Sequence, residues 1–151
     1  MKFKGFIELI KELSANTLKV TGISSGYASS EWYHEQSAVQ TTTAAETDIA
    51  TIAIDEGEMI WVKAYIGGAK SDHTEALGAE IFACARRQSG GNVVLLGSNI
   101  SNIIEDSAAS PTITIAADTG AQTIDIRVTG VAATTYNWVC SYQFSKILTN
   151  A

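Results

Sequence analysis

The sequence predicts an all-β chain, an antiparallel β-sandwich or jelly roll behind a short N-terminal arm that reads as helix or as strand. Three observations carry this. From residue 17 onward apolar residues recur with period two, turn residues punctuate the chain at short intervals, and the gaps leave no room for the crossover helices that parallel strands need. The 151 residues are 46% hydrophobic and 17% charged with one proline, enough for a single domain and too apolar for a disordered chain.

The arm differs from the body in charge and in pattern. Residues 1–19 hold Lys2, Lys4, Lys11 and Lys19 against Glu8 and Glu12, a net of +2, which leaves −8 for the remainder of a chain whose total is −6. Phe6, Leu9, Ile10 and Leu13 fall at i, i+3, i+4 and i+7, and Lys4 and Glu8 form an i,i+4 pair, so residues 6–13 read as a short amphipathic helix. Phe3, Gly5, Ile7 and Leu9 also alternate, which keeps a strand open, because so short a helix is marginal unless it packs on something. The small residues of Ser24–Ser30 suggest a linker. The organisation expected is therefore a docking arm and linker over 1–25 and a sandwich over 26–151.

Ten strand segments follow from the alternation: Thr17–Thr21, Glu31–Gln40, Asp48–Ile54, Met59–Tyr65, Ala79–Arg87, Val93–Leu96, Ile100–Ile104, Thr112–Ala116, Thr123–Thr129 and Thr135–Phe144. Gly90-Gly91-Asn92 supplies positive-φ residues for a tight hairpin, and Asp118-Thr119-Gly120 and Asp55-Glu56-Gly57 do the same for two more. Eight to ten short strands in this length fit a sandwich better than an open sheet. Cys84 and Cys140 both lie in apolar strand-like runs and read as reduced core thiols. A bridge between them remains open if their strands are neighbours.

Several functions are excluded or left without support. The acidic balance argues against nucleic acid as a partner, and no apolar run approaches the ~20 residues of a membrane span. No signal peptide opens the chain, so synthesis in the cytoplasm is expected, and the Asn99-Ile100-Ser101 sequon carries no meaning there. Asp72, His73 and Glu75 form a weak cluster of metal-type ligands in a polar loop, which does not suffice to assign a metal or any cofactor. His34 reads as a half-exposed strand residue, and neither histidine has a nucleophile motif. Glu56/Glu58 and Glu105/Asp106 read as solvated turns, and adjacent carboxylates do not face each other across a cleft as glycosidase chemistry requires. Gly67-Gly68-Ala69-Lys70-Ser71 lacks the spacing of a phosphate loop. No catalytic residue is assigned and no enzyme is expected. Trp32-Tyr33-His34 is the best candidate for a binding surface, with core or subunit interface as the competing assignment.

Residues 79–146 carry a resemblance. Ala79-Glu80-Ile81-Phe82-Ala83-Cys84-Ala85-Arg86-Arg87, then Gly90-Gly91-Asn92-Val93-Val94-Leu95-Leu96-Gly97-Ser98, then Asp125-Ile126-Arg127-Val128-Thr129-Gly130-Val131-Ala132 and Tyr136-Asn137-Trp138-Val139 are similar to a β-sandwich module of tailed-bacteriophage virion proteins. Thr51-Ile52-Ala53-Ile54 and Val62-Lys63-Ala64-Tyr65 match its opening. The resemblance implies a structural virion protein, commonly trimeric, found in capsid decoration and head-fibre proteins and in tail-fibre tips. It transfers no catalytic residue. Physically, Trp138 is expected to fill the sandwich and Gly97 to end a hairpin strand.

The short arm in place of a long shaft favours a decoration protein on the outer capsid surface. On this reading Phe3, Phe6, Leu9, Ile10 and Leu13 dock on the major capsid protein, and the sandwich projects as a homotrimer. The alternative is a tail-fibre or receptor-binding adhesion module in which Trp32, Tyr33 and His73 contact host-surface glycans.

Overall fold

The computed structural model describes residues 17–24, 28–106 and 111–149. The expected docking residues Phe3, Phe6, Leu9, Ile10 and Leu13 lie outside them. Nine strands run through the described chain: β1 (Thr17–Ser24), β2 (Ala28–Thr41), β3 (Glu46–Ala53), β4 (Glu58–Lys70), β5 (Ala76–Arg87), β6 (Val93–Glu105), β7 (Thr112–Asp118), β8 (Thr123–Thr129) and β9 (Tyr136–Thr149). All pairings are antiparallel, and they build a six-stranded sheet in the order β1-β2-β9-β4-β5-β6 and a three-stranded sheet in the order β3-β8-β7. The all-β sandwich read from the sequence is the observed architecture.

Period-two alternation decides which side chains meet between the sheets. Ile60, Val62, Ala64 and Ile66 of β4, Leu77, Ala79, Ile81, Ala83 and Ala85 of β5, and Tyr136, Trp138, Cys140, Tyr142 and Phe144 of β9 are buried on the inner face of the large sheet. Ile49 and Ile52 of β3, Ile113 of β7, and Ile124, Ile126 and Val128 of β8 close the core from the small sheet. Trp138, 1% exposed, fills the sandwich as expected, and its indole Nε1–H donates to Thr41 Oγ1 at 2.9 Å.

Four local expectations are corrected. Val93–Leu96 and Ile100–Ile104 fall within a single strand, β6, and Gly97 lies mid-strand opposite Cys84, beside a register shift, rather than ending a hairpin. Asp55-Glu56-Gly57 does not close a hairpin: β3 belongs to the small sheet and β4 to the large one, so this turn carries the chain between layers. In the β7–β8 turn the positive φ falls on Gln122 (61°) instead of Gly120, while the Asp118 carboxylate accepts the amides of Gly120 (2.7 Å) and Ala121 (3.0 Å), which holds it below the usual carboxylate range. The β5–β6 hairpin does use Gly90, at φ 68°. Fourth, the two cysteines differ. Cys140 is buried among Trp138, Tyr142 and Phe144, whereas Cys84 is half-buried on the opposite face with Phe82 and Arg86, so both thiols are free. β4 separates their strands and their side chains leave opposite faces, a placement no disulfide spans.

β1 hydrogen-bonds along β2 from Thr17↔Glu35 to Ser24↔Ser29, so residues 17–24 are a strand of the large sheet, and the expected linker meets strand residues at Ser24 and from Ala28 onward.

Candidate binding face

The outward side of the six-stranded sheet is the candidate site. Cross-strand register lines it up in rows: Trp32, Ser145, Trp61, Cys84 and Gly97 in one, His34, Gln143, Lys63, Phe82 and Asn99 in the next, and Gln36, Ser141, Tyr65 and Glu80 in a third. Trp32 (50% exposed), Trp61 (54%), Tyr65 (53%) and Phe82 (45%) stand on this face, accompanied by exposed Val94, Leu96 and Val139. With ~4.8 Å between strands, the backbones of Trp32 and Trp61 are roughly 10 Å apart, and Tyr65 lies about 13 Å beyond Trp61 along β4. Small residues between the rings leave troughs. One depression of about 590 Å³ runs over Gly67 between Tyr65, Gln36, Val139 and Ser141. A second, of about 420 Å³, lies among Trp61, Phe82, Cys84, Leu96 and Asn99, and a third, of about 160 Å³, among Trp32, Trp61, Lys63, Phe82 and Gln143.

Lys63 sits amid these rings. Its Nζ lies 4.8 Å from the Phe82 ring centroid and 5.0 Å from that of Tyr65, and 2.8 Å from Glu80 Oε1. The Glu80 hydrogen bond raises the Lys63 pKa, so the ammonium stays charged beside two ring faces.

The sequence candidates part company here. Trp32 belongs to the face. Tyr33, the next residue along a strand, points inward and stacks on Phe144 with ring centroids 4.6 Å apart. His73 sits in the β4–β5 turn with φ 58°; from Trp61 to the end of β4 at Lys70 is roughly 30 Å of strand, so His73 and Trp32 share no surface. In that turn Asp72 accepts the Thr74 amide (3.1 Å) and hydroxyl (2.6 Å) and pairs with Lys70 at 3.4 Å. Among the described residues no three His, Cys, Asp or Glu side chains converge as a metal site. Glu56 pairs with Arg87 at 3.3 Å while Glu58 turns inward to Lys146 at 2.9 Å, so that carboxylate pair points two ways. His34 Nε2 lies 3.2 Å from Ser141 Oγ, but Ser141 is in β9, whose backbone is hydrogen-bonded to β2 and β4 on both sides. Its ladder amides are therefore committed to the sheet and form no oxyanion hole.

Trp61, Tyr65 and Phe82 went unrecognised as surface residues in the sequence. For Trp61 and Tyr65 the signal was in Glu58–Lys70, where large apolar residues occupy both parities, Ile60, Val62 and Ile66 on one and Met59, Trp61 and Tyr65 on the other. In a two-layer sandwich one of those sets has to face outward.

The site and fold thus define an antiparallel two-sheet sandwich with an aromatic outer face. No protein-family model matches the chain, and no curated protein matches it in sequence. Among solved structures, it is similar in fold to the tailspike protein gp49 of the Acinetobacter baumannii bacteriophage Fri1, a capsular polysaccharide depolymerase, with a TM-score of 0.50 and 8% identity over 94% of this chain and 23% of that one. The tailspike protein of Acinetobacter baumannii phage AM24 matches with a TM-score of 0.40 and 10% identity over 80% of this chain and 27% of that one. The chain spans about a quarter of the length of either spike.

Proposed function

We propose that this chain is an adhesion module of a bacteriophage tail spike or tail fibre, binding host-surface glycan on the outer face of its six-stranded sheet without cleaving it. The observation that carries this is the group of four half-exposed aromatic rings, Trp32, Trp61, Tyr65 and Phe82, set among hydrogen-bonding Gln36, Gln143 and Asn99. Sugar rings present C–H faces that pack on aromatic faces and hydroxyls that pair with amides, and a soluble monomer rarely exposes so large an apolar patch without a use for it. The fold shared with part of a phage tailspike supports the location. The capsid reading retains one supporting observation, the +2 arm against the −8 body, with the major capsid protein as partner.

The test is binding of the full chain to an array of purified bacterial capsular polysaccharides and lipopolysaccharides, with Trp61→Ala and Phe82→Ala as face variants. Binding that weakens at least tenfold in each variant, with no shortening of the polymer, is the expected result. No bound glycan, together with saturable pelleting on undecorated capsids, moves the assignment to capsid decoration. An oligomer in sedimentation that Trp61→Ala dissociates makes the face a subunit interface instead.

A further inference from the structure

The outer face also carries a charge pattern opposite to that of the whole protein. The chain is net −6, yet among the described strand residues that point outward from the large sheet Glu80 is the one carboxylate, while Lys63 and Arg86 supply two positive charges. Other described acids lie at turns, on the small sheet or on the inward side, among them Glu56 at Arg87, Asp48 and Asp125 at Arg127, Glu58 at Lys146, Asp72 at Lys70 and Glu35 at Tyr142. On the large sheet, among the described residues, a polyanion therefore meets more positive than negative charge on the aromatic face.

Lys63 is placed to read a negative charge. The Lys63 side chain lines the depression formed with Trp32, Trp61, Phe82 and Gln143. In its pair with Glu80 the lysine is the more open partner, 29% exposed against 18%. An ammonium has three N–H donors; Glu80 takes one and the Tyr65 side chain engages a second, which leaves one direction for a ligand. The Tyr65 and Phe82 rings, at 5.0 and 4.8 Å from its Nζ, hold the lysine beside the depression that Trp61 also lines.

Resting on the glycan-binding reading above, we infer that the ligand of this face is an acidic polysaccharide, with a carboxylate-bearing sugar stacked on the aromatic rings and its carboxylate on Lys63. Charge complementarity selects this over a neutral glycan, for which a lysine amid the rings supplies only a hydrogen-bond donor.

The experiment starts from the polymer that binds the full chain best on the array. Its carboxyl groups are reduced to primary alcohols, which keeps the backbone and removes the charge, and both forms are titrated against wild type, Lys63→Met, Lys63→Arg and Trp61→Ala. The expected result is an acidic polymer whose affinity falls at least tenfold on carboxyl reduction. Lys63→Met should lose the same factor on the native polymer and nothing further on the reduced one, and Lys63→Arg should stay within a few-fold of wild type. A thermal unfolding transition unchanged in Lys63→Met separates lost binding from lost fold. A neutral best ligand, or a reduced polymer bound as well as the native one while Trp61→Ala still abolishes binding, overturns this inference and leaves the glycan reading standing. Binding to no polymer, or binding indifferent to Trp61→Ala, overturns both.

Discussion

The Trp138 ring occupies the space that a side chain at Gly68 would need. A Cβ on Gly68 would lie 2.5 Å from Trp138 Cε3 and 2.6 Å from Cζ3, across the paired strands β4 and β9 where Gly68 faces Trp138 in register. The ring is 1% exposed and hydrogen-bonded, so it has nowhere to move. Gly68→Ala is expected to destabilise by about 1–3 kcal/mol, as overpacking of a filled core does, measured as a lower denaturation midpoint at unchanged slope. Gly67→Ala, whose added methyl meets Val139 at an ordinary 3.6 Å, is the control.

Thr41 tests the other side of the same indole. Thr41→Val keeps the shape but removes the acceptor of the Trp138 N–H, leaving a buried donor unsatisfied at a cost of about 1–3 kcal/mol. Thr41→Ser should recover most of that loss. Equal denaturation midpoints for the valine and serine variants would remove the hydrogen bond from the account.

The Glu58–Lys146 pair joins a buried carboxylate to a largely covered ammonium, with the side chains 5% and 14% exposed, and Glu58 Oε2 also accepts the Asp55 amide. Removing one partner strands the other charge. Glu58→Leu is expected to cost about 3 kcal/mol or more, and Glu58→Leu combined with Lys146→Met less than Glu58→Leu alone. A double-mutant cycle on chemical unfolding reads this directly, and additive losses would refute it.

The two thiols should react differently. Burial pushes the Cys140 thiol up to about 12 and raises that of Cys84 less, so a thiol reagent is expected to label Cys84 alone in the native protein and both after unfolding. Linkage gives the sign of the pH effect. In the unfolded chain Cys140 loses its proton near its ordinary value of 9.0, whereas in the fold it keeps it to about 12, so above pH 9 the unfolded state binds fewer protons and stability falls as pH rises. Tyr142, raised by burial and by its bond to Glu35, acts in the same direction. Unfolding free energy measured from pH 8 to 11 should decline, with a shallower slope in Cys140→Ala.

The sequence by itself determined the sandwich, because period-two alternation in Asp48–Ile54, Thr123–Thr129 and Thr135–Phe144 leaves one face of each strand that only a second sheet can cover. It also determined the inward position of Trp138 and Cys140, which share one parity of a single strand. Only the tertiary structure decided which strands became neighbours, and with that the site. Trp32, Trp61 and Phe82 are separated by 29 and 21 residues in the chain and meet only because β2 and β4 flank β9 while β5 pairs with β4. Pairing is set by long-range register and core packing, to which a local pattern is blind, so Trp32 stood out as a candidate surface while Trp61 and Tyr65, in a strand apolar on both parities, and Phe82, in the next strand, did not.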